Sequence, residues 1–332
     1  MTKYNIAISL GCTNTRILKS GVGVVLNEPT LLLIDPKDRK NPVRAVGDEA
    51  VKLSVNKPEL QLVCPMKNGV IANKDFAKKL LIKFLEKLNE KKFFRGNLLW
   101  LTPTSLSQTD KNEFVNLGYS LGYKNVDTVQ SALASFQELE IDNDNKRAHM
   151  LIDLGGDSTD ISIVLRGRII QGCTVDLGGR TLDLEIEDYL RSVFQMNVPE
   201  MYAEKIKKQV NSMLPNDQLG CDITILDENG LSNELSISAR ELREIYVGFF
   251  LKICDLANKV LSMCTNDIIG DIGKTGIYLT GGLANITGLD KFLKSRLGLP
   301  VYVAERPEYT SIFGAEKLVN EPEKLEKLMA MN

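Results

Sequence analysis

Two stretches of this chain, ISLGCTNTRI at residues 8–17 and IDLGGDSTDI at residues 152–161, follow one pattern. Written one over the other, they share isoleucine, leucine, glycine, threonine and a final isoleucine at matching positions. Each stretch follows an apolar run and precedes another, so each predicts a β-hairpin with a tight glycine turn. A duplication 144 residues apart indicates two related half-molecules, each beginning with such a hairpin.

Length and composition agree with two half-molecules. The chain has 332 residues, more than the roughly 250–300 at which a single core stops growing. It is 43% apolar and 25% charged, with a formal net charge of -2 and charges of both signs interspersed. No basic block appears, so nucleic-acid binding is not expected.

The cysteines and the single histidine argue against a zinc site. Six cysteines form no C-x-x-C pair, and His149 is the only histidine, which argues against a zinc site with histidine ligands. We expect reduced, mostly buried thiols, and a strand-edge role for His149. The amino-terminal segment MTKYNIAISLG has no signal-peptide pattern, and no apolar run approaches the ~20 residues of a membrane span. These features predict a cytoplasmic protein.

The remaining elements predict a mixed α/β chain, and not a plain doubly wound sheet. Helical spacing of apolar residues is found over 75–90, with further helices expected at 104–121, 130–139, 180–193, 200–212, 239–263, 288–296 and 311–330. Strands are expected at 98–103, 126–129, 221–226, 234–238, 276–282 and 301–304.

The two glycine turns are the expected sites of chemistry. Glycine can adopt positive φ, and successive N–H groups in such a turn form a concave nest for an anion. Two turns facing each other would hold a polyphosphate from two sides. One such hairpin alone is more often structural, and it is the duplication at matching strand positions that favours phosphate binding. The proposed phosphate-binding residues are Gly11, Cys12, Thr13 and Asn14 in the first turn, and Gly155, Gly156 and Asp157 in the second.

Asp153 ends an apolar strand beside the second turn. A carboxylate there is costly unless it meets a cation or hydrogen-bond donors. Hydrated Mg²⁺ that bridges the phosphates is the expected partner. The alternative is that the carboxylate ties down its own turn.

A third glycine-rich segment, GGLANITGLD at residues 281–290, follows a predicted strand and precedes a helix. We expect an adenine ring to lie flat on the backbone of Gly281, Gly282, Leu283 and Ala284. We also place Gly178 and Gly179, just before the helix predicted at 180–193, among the nucleotide-binding residues. The GKT string at 273–275 lacks the earlier glycine and the preceding strand of a P-loop, so it is not assigned a role.

Longer strings resemble one family within the actin, sugar-kinase and heat-shock ATPase superfamily. VLNEP (25–29), PMKNGVIAN (65–73), AEKIK (203–207), LTGGLANITGLD (279–290) and VAERP (303–307) are similar to MreB, the bacterial actin homologue. The resemblance runs from about residue 4 to residue 320.

The resemblance implies an actin-like fold of two RNase H-like lobes with ATP or ADP and Mg²⁺ between them. Lobe I would cover 1–147, with a small subdomain at about 32–72 and the helices of about 311–332 packed back on it. Lobe II would cover 148–310, with a small subdomain at about 180–240. Glu204 and Lys207 match residues that line the nucleoside. The resemblance also implies head-to-tail homopolymeric filaments, in which paralogous MreB subunits are further candidate partners.

Departures from the family pattern bear on catalysis. Ser9 and Gln130 replace acidic residues of the family. Gln130 cannot act as a general base but could still orient the attacking water. Asp157 replaces a glycine, whereas Thr159 is kept near the position of that water. Arg16 either supplies positive charge to the phosphates or is an exposed hairpin residue. We therefore expect ATP binding with slow hydrolysis.

The segment KKFFR at 91–95 suits insertion into an anionic lipid surface, because Phe93 and Phe94 are flanked by basic residues. Packing of both rings under the neighbouring strand is the alternative. A membrane contact there would place the protein peripherally at the inner face of the cell membrane. A small-molecule kinase of the same superfamily and a chaperone ATPase domain are the alternative functions. The kinase is not favoured because we identify neither a catalytic aspartate nor substrate-pocket insertions. The chaperone domain is not favoured because we would expect a substrate-binding domain to follow it.

Overall fold

A computed structural model describes residues 4–55, 57–90, 95–141, 146–194, 200–226 and 232–331. The chain forms two compact units. Unit 1 consists of Met1–Lys146, Val164–Thr174 and Tyr309–Asn332, and unit 2 of Arg147–Ile163 and Val175–Glu308.

The elements of the first half of the chain run in the following order: β1 (Ile6–Leu10), β2 (Asn14–Lys19), β3 (Gly23–Pro29), β4 (Leu32–Ile34), β5 (Val43–Val46), α1 (Asp48–Ser54), β6 (Gln61–Val63), β7 (Met66–Lys67), β8 (Val70–Ile71), α2 (Lys74–Lys87), β9 (Arg95–Thr102), α3 (Gln108–Ser120), β10 (Tyr123–Gln130) and α4 (Ser131–Glu138).

The second half continues with β11 (His149–Leu154), β12 (Thr159–Leu165), β13 (Arg168–Val175), α5 (Gly179–Phe194), α6 (Glu200–Gln209), β14 (Gly220–Leu226), β15 (Ser232–Ser238), α7 (Ala239–Ser262), α8 (Asn266–Thr275), β16 (Ile277–Thr280), a 3-10 turn (Gly282–Asn285), α9 (Leu289–Leu297), β17 (Val301–Val303), α10 (Thr310–Asn320) and α11 (Pro322–Met331).

The two five-stranded sheets have the same strand order. In the first sheet the order is β3-β2-β1-β9-β10, and in the second it is β13-β12-β11-β16-β17. In the first sheet, β9 lies parallel to β1, and β10 lies parallel to β9. In the second sheet, β16 lies parallel to β11, and β17 lies parallel to β16. The duplication inferred from the two glycine turns is therefore a duplication of the whole sheet.

Each glycine turn follows a buried strand. Strand β1 is apolar at nearly every position because both faces of its sheet are covered, as is usual for central strands with parallel neighbours. Its core includes Trp100, Phe84 and Phe114, with the Trp100 and Phe114 rings edge to face at 5.6 Å. Strand β11 is equally buried through Ile152. Each turn thus begins at the end of a strand that packing holds rigidly.

Helix ends explain where the predicted boundaries shift. The helix expected from 104 begins at Gln108, because the Ser107 hydroxyl caps it by accepting the Asp110 N–H at 3.1 Å. Helix α7 begins as expected at Ala239, where Ser238 and Glu241 form a capping box. The GKT string is the last turn of α8, an element that the sequence analysis did not predict, since Gly270 and Gly273 lower its helix propensity.

No helix in the described parts of the chain has the length and apolar character needed to cross a membrane. The six cysteines form no disulfide bond, as expected, but the expectation that most are buried is wrong. Only Cys254 is buried, because the other five lie in loops, at strand ends or next to helix ends, where packing is incomplete.

Candidate functional site

The first glycine turn closes with a short backbone bond. Gly11 N–H donates to the Asn14 carbonyl at 3.1 Å, where β1 passes into β2. A Cβ on Gly11 would lie 3.0 Å from that carbonyl oxygen. Any other residue at this position would require the Asn14 carbonyl to shift by a few tenths of an ångström.

The second turn repeats the same bond. Gly155 N–H donates to the Ser158 carbonyl at 2.9 Å, and a Cβ on Gly155 would lie 2.8 Å from that oxygen. Neither Gly11 nor Gly155 has a φ in the left-handed region, so the expectation of positive φ in these turns is wrong. Glycine is required there by the carbonyl that faces it, and not by its dihedral angles.

The segment Gly178–Gly179 lies directly on the second turn. Gly179 N–H donates to the Gly155 carbonyl at 3.0 Å, and Arg180 N–H donates to the Gly156 carbonyl at 2.7 Å. A Cβ on Gly178 would lie within 2.6 Å of three backbone atoms of residues 156–158. The amino terminus of α5 therefore supports the turn through its N–H groups, and Gly178 has no room for a side chain.

Lys207 of α6 supports the same segment from its other side. Its Nζ donates to the Gly179 carbonyl at 2.9 Å and lies 2.7 Å from both carboxylate oxygens of Asp183. Lys207 and Asp183 are 8% and 5% exposed, so both charges are buried. Glu204 has a different environment, because it is half-buried and pairs with Lys208 at 2.6 Å.

The sequence analysis did not include Asp183. It lies among Leu182, Ile186 and Leu190 on the buried face of α5. A carboxylate on the apolar face of an amphipathic helix requires a buried partner, and that was the available signal. Nearby Tyr246 donates to the Val210 carbonyl at 2.9 Å. Burial, and to a smaller extent Asp183, raise the pKa of Tyr246.

The predicted adenine platform is a strained turn with one open face. Gly281 has a φ of +84°, and its N–H donates to the Pro307 carbonyl at 2.8 Å. A Cβ on Gly281 would lie 2.3 Å from the Leu154 carbonyl oxygen and 2.5 Å from Asp153 Oδ1. Gly282 is exposed with nothing within 4 Å of its Cβ position. The side chains of Leu283 and Ala284 are buried, so only the backbone of these residues can form a platform.

Two predicted catalytic residues lie in unit 2. Asp153 is half-buried at the end of β11, directly below Gly281, and pairs in register with Thr280 of β16. Thr159 is fully buried, and its hydroxyl donates to the Leu177 carbonyl at 2.6 Å. This hydrogen bond holds the segment that precedes Gly178. Across the ranges that could be described, no cluster of three His, Cys, Asp or Glu side chains is arranged for a metal ion.

The first turn is supported by one side chain and by one backbone hydrogen bond. The Cys64 thiol donates to the Cys12 carbonyl at 3.2 Å, and Thr30 N–H donates to the Thr13 carbonyl at 2.9 Å. Behind the turn, the hydroxyls of Thr15 and Thr30 are 2.9 Å apart and fully buried.

Arg16 and Gln130 also belong to unit 1. The Arg16 guanidinium lies 4.9 Å from the centre of the Tyr309 ring, a cation–π contact that neither sequence-based alternative included. Gln130 ends β10 and is half-buried at the N-cap of α4, where its side chain makes no capping hydrogen bond. Phe93 and Phe94 lie outside the described residues, so the predicted lipid contact has no structural account.

Comparisons with known proteins place this fold. A model of the MreB/Mbl protein family matches residues 3–327. The cell shape-determining protein Mbl of Bacillus subtilis is 29% identical over 332 residues, covering 98% of this chain and 99% of Mbl.

Crystal structures of MreB5 of Spiroplasma citri bound to ADP and to AMPPNP align with TM-scores of 0.89 and 0.90 at 28% and 27% identity. Both alignments cover 97% of this chain, and they cover 98% of the ADP-bound and 97% of the AMPPNP-bound MreB5 chain. A MamK double helical filament, 16% identical over 95% of this chain and 98% of MamK, aligns with a TM-score of 0.79, which supports the fold alone. The expected actin-like α/β fold is confirmed.

Proposed function

The chain belongs to the MreB/Mbl family, and we propose that it binds ATP and ADP and polymerises into filaments that contribute to cell shape or motility. The observation that carries this proposal is the repeated turn. The same glycine-to-carbonyl hydrogen bond closes both turns at equivalent strand ends of two equivalently ordered sheets. The S. citri relative, whose structures hold ADP and AMPPNP, supports the choice of nucleotide. No observation favours the small-molecule kinase.

In this proposal the two turns contact the phosphate groups, and the backbone at Gly282 contacts the adenine. Asp153 would anchor Mg²⁺ that arrives with the nucleotide. A single half-buried carboxylate fits that role, because Mg²⁺ at phosphates keeps several waters and needs only one or two carboxylates. The ion would neutralise charge on the phosphate oxygens.

Gly282 provides a direct test of the adenine site. A leucine there would project into open space, so the fold should be unchanged while the side chain occupies the proposed adenine position. We expect Gly282→Leu to weaken adenosine and ADP binding at least about tenfold, measured by displacement of a fluorescent ADP analogue.

Gly273→Leu in α8 is the matched control, since its Cβ position is also open. It should bind both ligands like the unmodified protein. Failure of the unmodified protein to bind ADP saturably in the presence of Mg²⁺ would refute the proposed function.

Hydrolysis is proposed to be slow. The amide of Gln130 orients water but cannot accept its proton, and Ser9 removes one carboxylate from the first hairpin. We expect Gln130→Glu to accelerate single-turnover phosphate release, with binding of ATP unchanged. Equal rates in both proteins would exclude Gln130 as the reason for slow turnover.

Filament formation is tested by sedimentation and electron microscopy with ATP and with AMPPNP. Nucleotide-dependent pelleting is expected, and monomers at all nucleotide concentrations would contradict it. Membrane attachment through Phe93 and Phe94 is a separate proposal. Liposomes containing anionic lipid should retain the unmodified protein and lose the Phe93→Ala, Phe94→Ala variant.

A further inference from the structure

The buried pair Lys207–Asp183 is the part of unit 2 for which the proposed chemistry gives no reason. The family resemblance assigns Lys207 to the nucleoside. In the structure its ammonium is surrounded by protein atoms instead. Its Nζ donates to Asp183 Oδ2 at 2.7 Å and to the Gly179 carbonyl at 2.9 Å, and Asp183 Oδ1 lies at 2.7 Å as an ion-pair contact. Two of its three N–H donors are therefore engaged within the protein.

The position of the ammonium is fixed by a glycine. A Cβ on Gly179 would lie 3.1 Å from Lys207 Nζ, so the lysine reaches the Gly179 carbonyl across the space that a side chain would occupy. Burying two charges costs free energy that an apolar pair would not, which makes the pair a poor device for stability alone. Its geometric specificity is the better explanation for a salt bridge at this place.

A short chain of contacts connects this pair to the second turn. Lys207 holds the carbonyl of Gly179, and the N–H of the same residue holds the Gly155 carbonyl. Arg180 N–H holds the next carbonyl of the turn, that of Gly156. Tyr246, which lies close enough to Asp183 to sense its charge, donates its hydroxyl proton to the Val210 carbonyl.

We propose that Asp183 and Lys207 are positioning residues for the phosphate-binding turn. Asp183 holds the ammonium in place, the ammonium holds the peptide of Gly179, and that peptide fixes residues 155–156 for contact with phosphate. This inference rests on the proposed nucleotide binding. It reverses the expected role of Lys207, because the lysine then acts on the phosphate end of the nucleotide through the backbone and does not donate to the nucleoside.

The two roles make different predictions for adenosine and ADP. A positioning role affects the phosphate contacts, so adenosine binding should change little. A direct nucleoside contact should weaken adenosine and ADP equally. The variants are Asp183→Asn, Lys207→Met and the double variant, and the measurement is displacement of a fluorescent ADP analogue by adenosine, ADP and ATP.

We expect each single variant to lose at least about tenfold in ADP and ATP affinity and less than about threefold in adenosine affinity. The double variant should lose no more than the single variants, because the two residues act as one unit. The exposed Lys205→Met variant on the same helix is the matched control and should retain the original affinities.

Three results would overturn the inference. These are an equal loss for adenosine and ADP in Lys207→Met, unchanged ADP binding in Asp183→Asn, and additive losses in the double variant. Absence of ADP binding by the unmodified protein would instead refute the proposed function itself.

Gly179→Ala keeps the test decisive if the charge variants fold poorly. Its methyl group would lie 3.1 Å from Lys207 Nζ and 3.6 Å from the Gly156 carbonyl, which displaces the ammonium without removing a charge. We expect an intermediate loss of ADP affinity with unchanged adenosine affinity. Unchanged binding of both ligands in this folded variant would contradict the positioning role.

Discussion

The turn at 11–14 and the turn at 155–158 share one backbone geometry but differ in what supports them. In both, a glycine N–H donates to the carbonyl three residues later, at 3.1 Å and 2.9 Å. The first turn is supported by the Cys64 thiol, by one backbone bond from Thr30 N–H to the Thr13 carbonyl and, from behind, by the buried hydroxyls of Thr15 and Thr30. The second is supported by backbone, since residues 178–180 lie directly on it.

This difference shows which features the duplication kept. The strand order and the closing hydrogen bond are present in both halves, whereas the contacts that surround each turn differ between the halves. Where backbone packs on backbone, no side-chain rotation can relieve a clash with an added group. Where a thiol or hydroxyl makes the contact, a similar side chain can replace it. Substitutions around the second turn should therefore have larger effects than substitutions around the first.

The largest effect is expected for Gly178→Ala. The added methyl group would lie 2.5 Å from the Asp157 carbonyl carbon and 2.6 Å from two further backbone atoms, so the turn or α5 must move. We expect a loss of about 1–3 kcal/mol in the free energy of unfolding. ADP affinity should fall at least about tenfold because the phosphate-binding backbone is displaced. Urea denaturation and ligand titration measure the two quantities.

Gly270→Ala in α8 is the control for this substitution. Nothing lies within 4 Å of its Cβ position, and alanine favours a helix over glycine by about 1 kcal/mol, so the variant should be slightly stabilised. If Gly178→Ala were as stable as this control, the backbone of the second turn could shift to accommodate a methyl group. Substitutions around the second turn would then not be expected to have larger effects than those around the first.

The sequence predicted the turns better than it predicted their supports. The repeat in residues 8–17 and 152–161 is local, so the hairpins, the strand ends and the residues of both turns could be found from it. The close contact at Gly178 and the partner of Asp183, which is 24 residues away, depend on how separate elements pack. The apolar face of α5 indicates that Asp183 needs a buried partner, but no local pattern identifies Lys207 as that partner. The assignment of Lys207 to the nucleoside came from the family resemblance alone.

The glycines show the same limit in another form. A glycine in a turn predicts either positive φ or close contact, and the sequence does not distinguish them. At Gly281 both reasons apply, with a φ of +84° and the Leu154 carbonyl beneath it. At Gly11 and Gly155 only close contact applies. The turns were therefore located correctly at these two glycines, but the reason expected for glycine there, positive φ, was wrong.

The next largest effect concerns the hydroxyl pair behind the first turn. Thr30→Val keeps the shape of the side chain but leaves the buried Thr15 hydroxyl without its partner at 2.9 Å. We expect a loss of about 1–2 kcal/mol in the free energy of unfolding. The double variant Thr15→Val, Thr30→Val should recover most of it, because both polar groups are then removed. Additive losses in urea denaturation would show that the hydroxyls do not act as a pair.

A smaller difference should appear at acid pH, because only the strand before the second turn begins with a titratable residue. Burial lowers the pKa of His149 below its usual 6.5, and nearby Asp271 partly opposes this shift. Below pH 6.5 the unfolded chain then binds more protons than the folded one, so stability falls as the pH decreases toward the folded-state pKa. His149→Gln should reduce this slope between pH 6.5 and pH 5 in thermal melts. An unchanged slope would assign the acid sensitivity to carboxylates.

The smallest effect is expected at Cys64, because a thiol is a weak donor even at the 3.2 Å that separates Sγ from the Cys12 carbonyl oxygen. Cys64→Ala removes the bond, and Cys64→Ser keeps a donor on a shorter side chain. We expect Cys64→Ala to lose at most about 1.5 kcal/mol in the free energy of unfolding. The stability of Cys64→Ser should lie between that of Cys64→Ala and that of the unmodified protein. ADP affinity should change less than about threefold in either variant, since the Gly11 bond that closes the turn remains. A larger loss of affinity for Cys64→Ala than for Gly178→Ala would mean that the first turn depends on its support as strongly as the second.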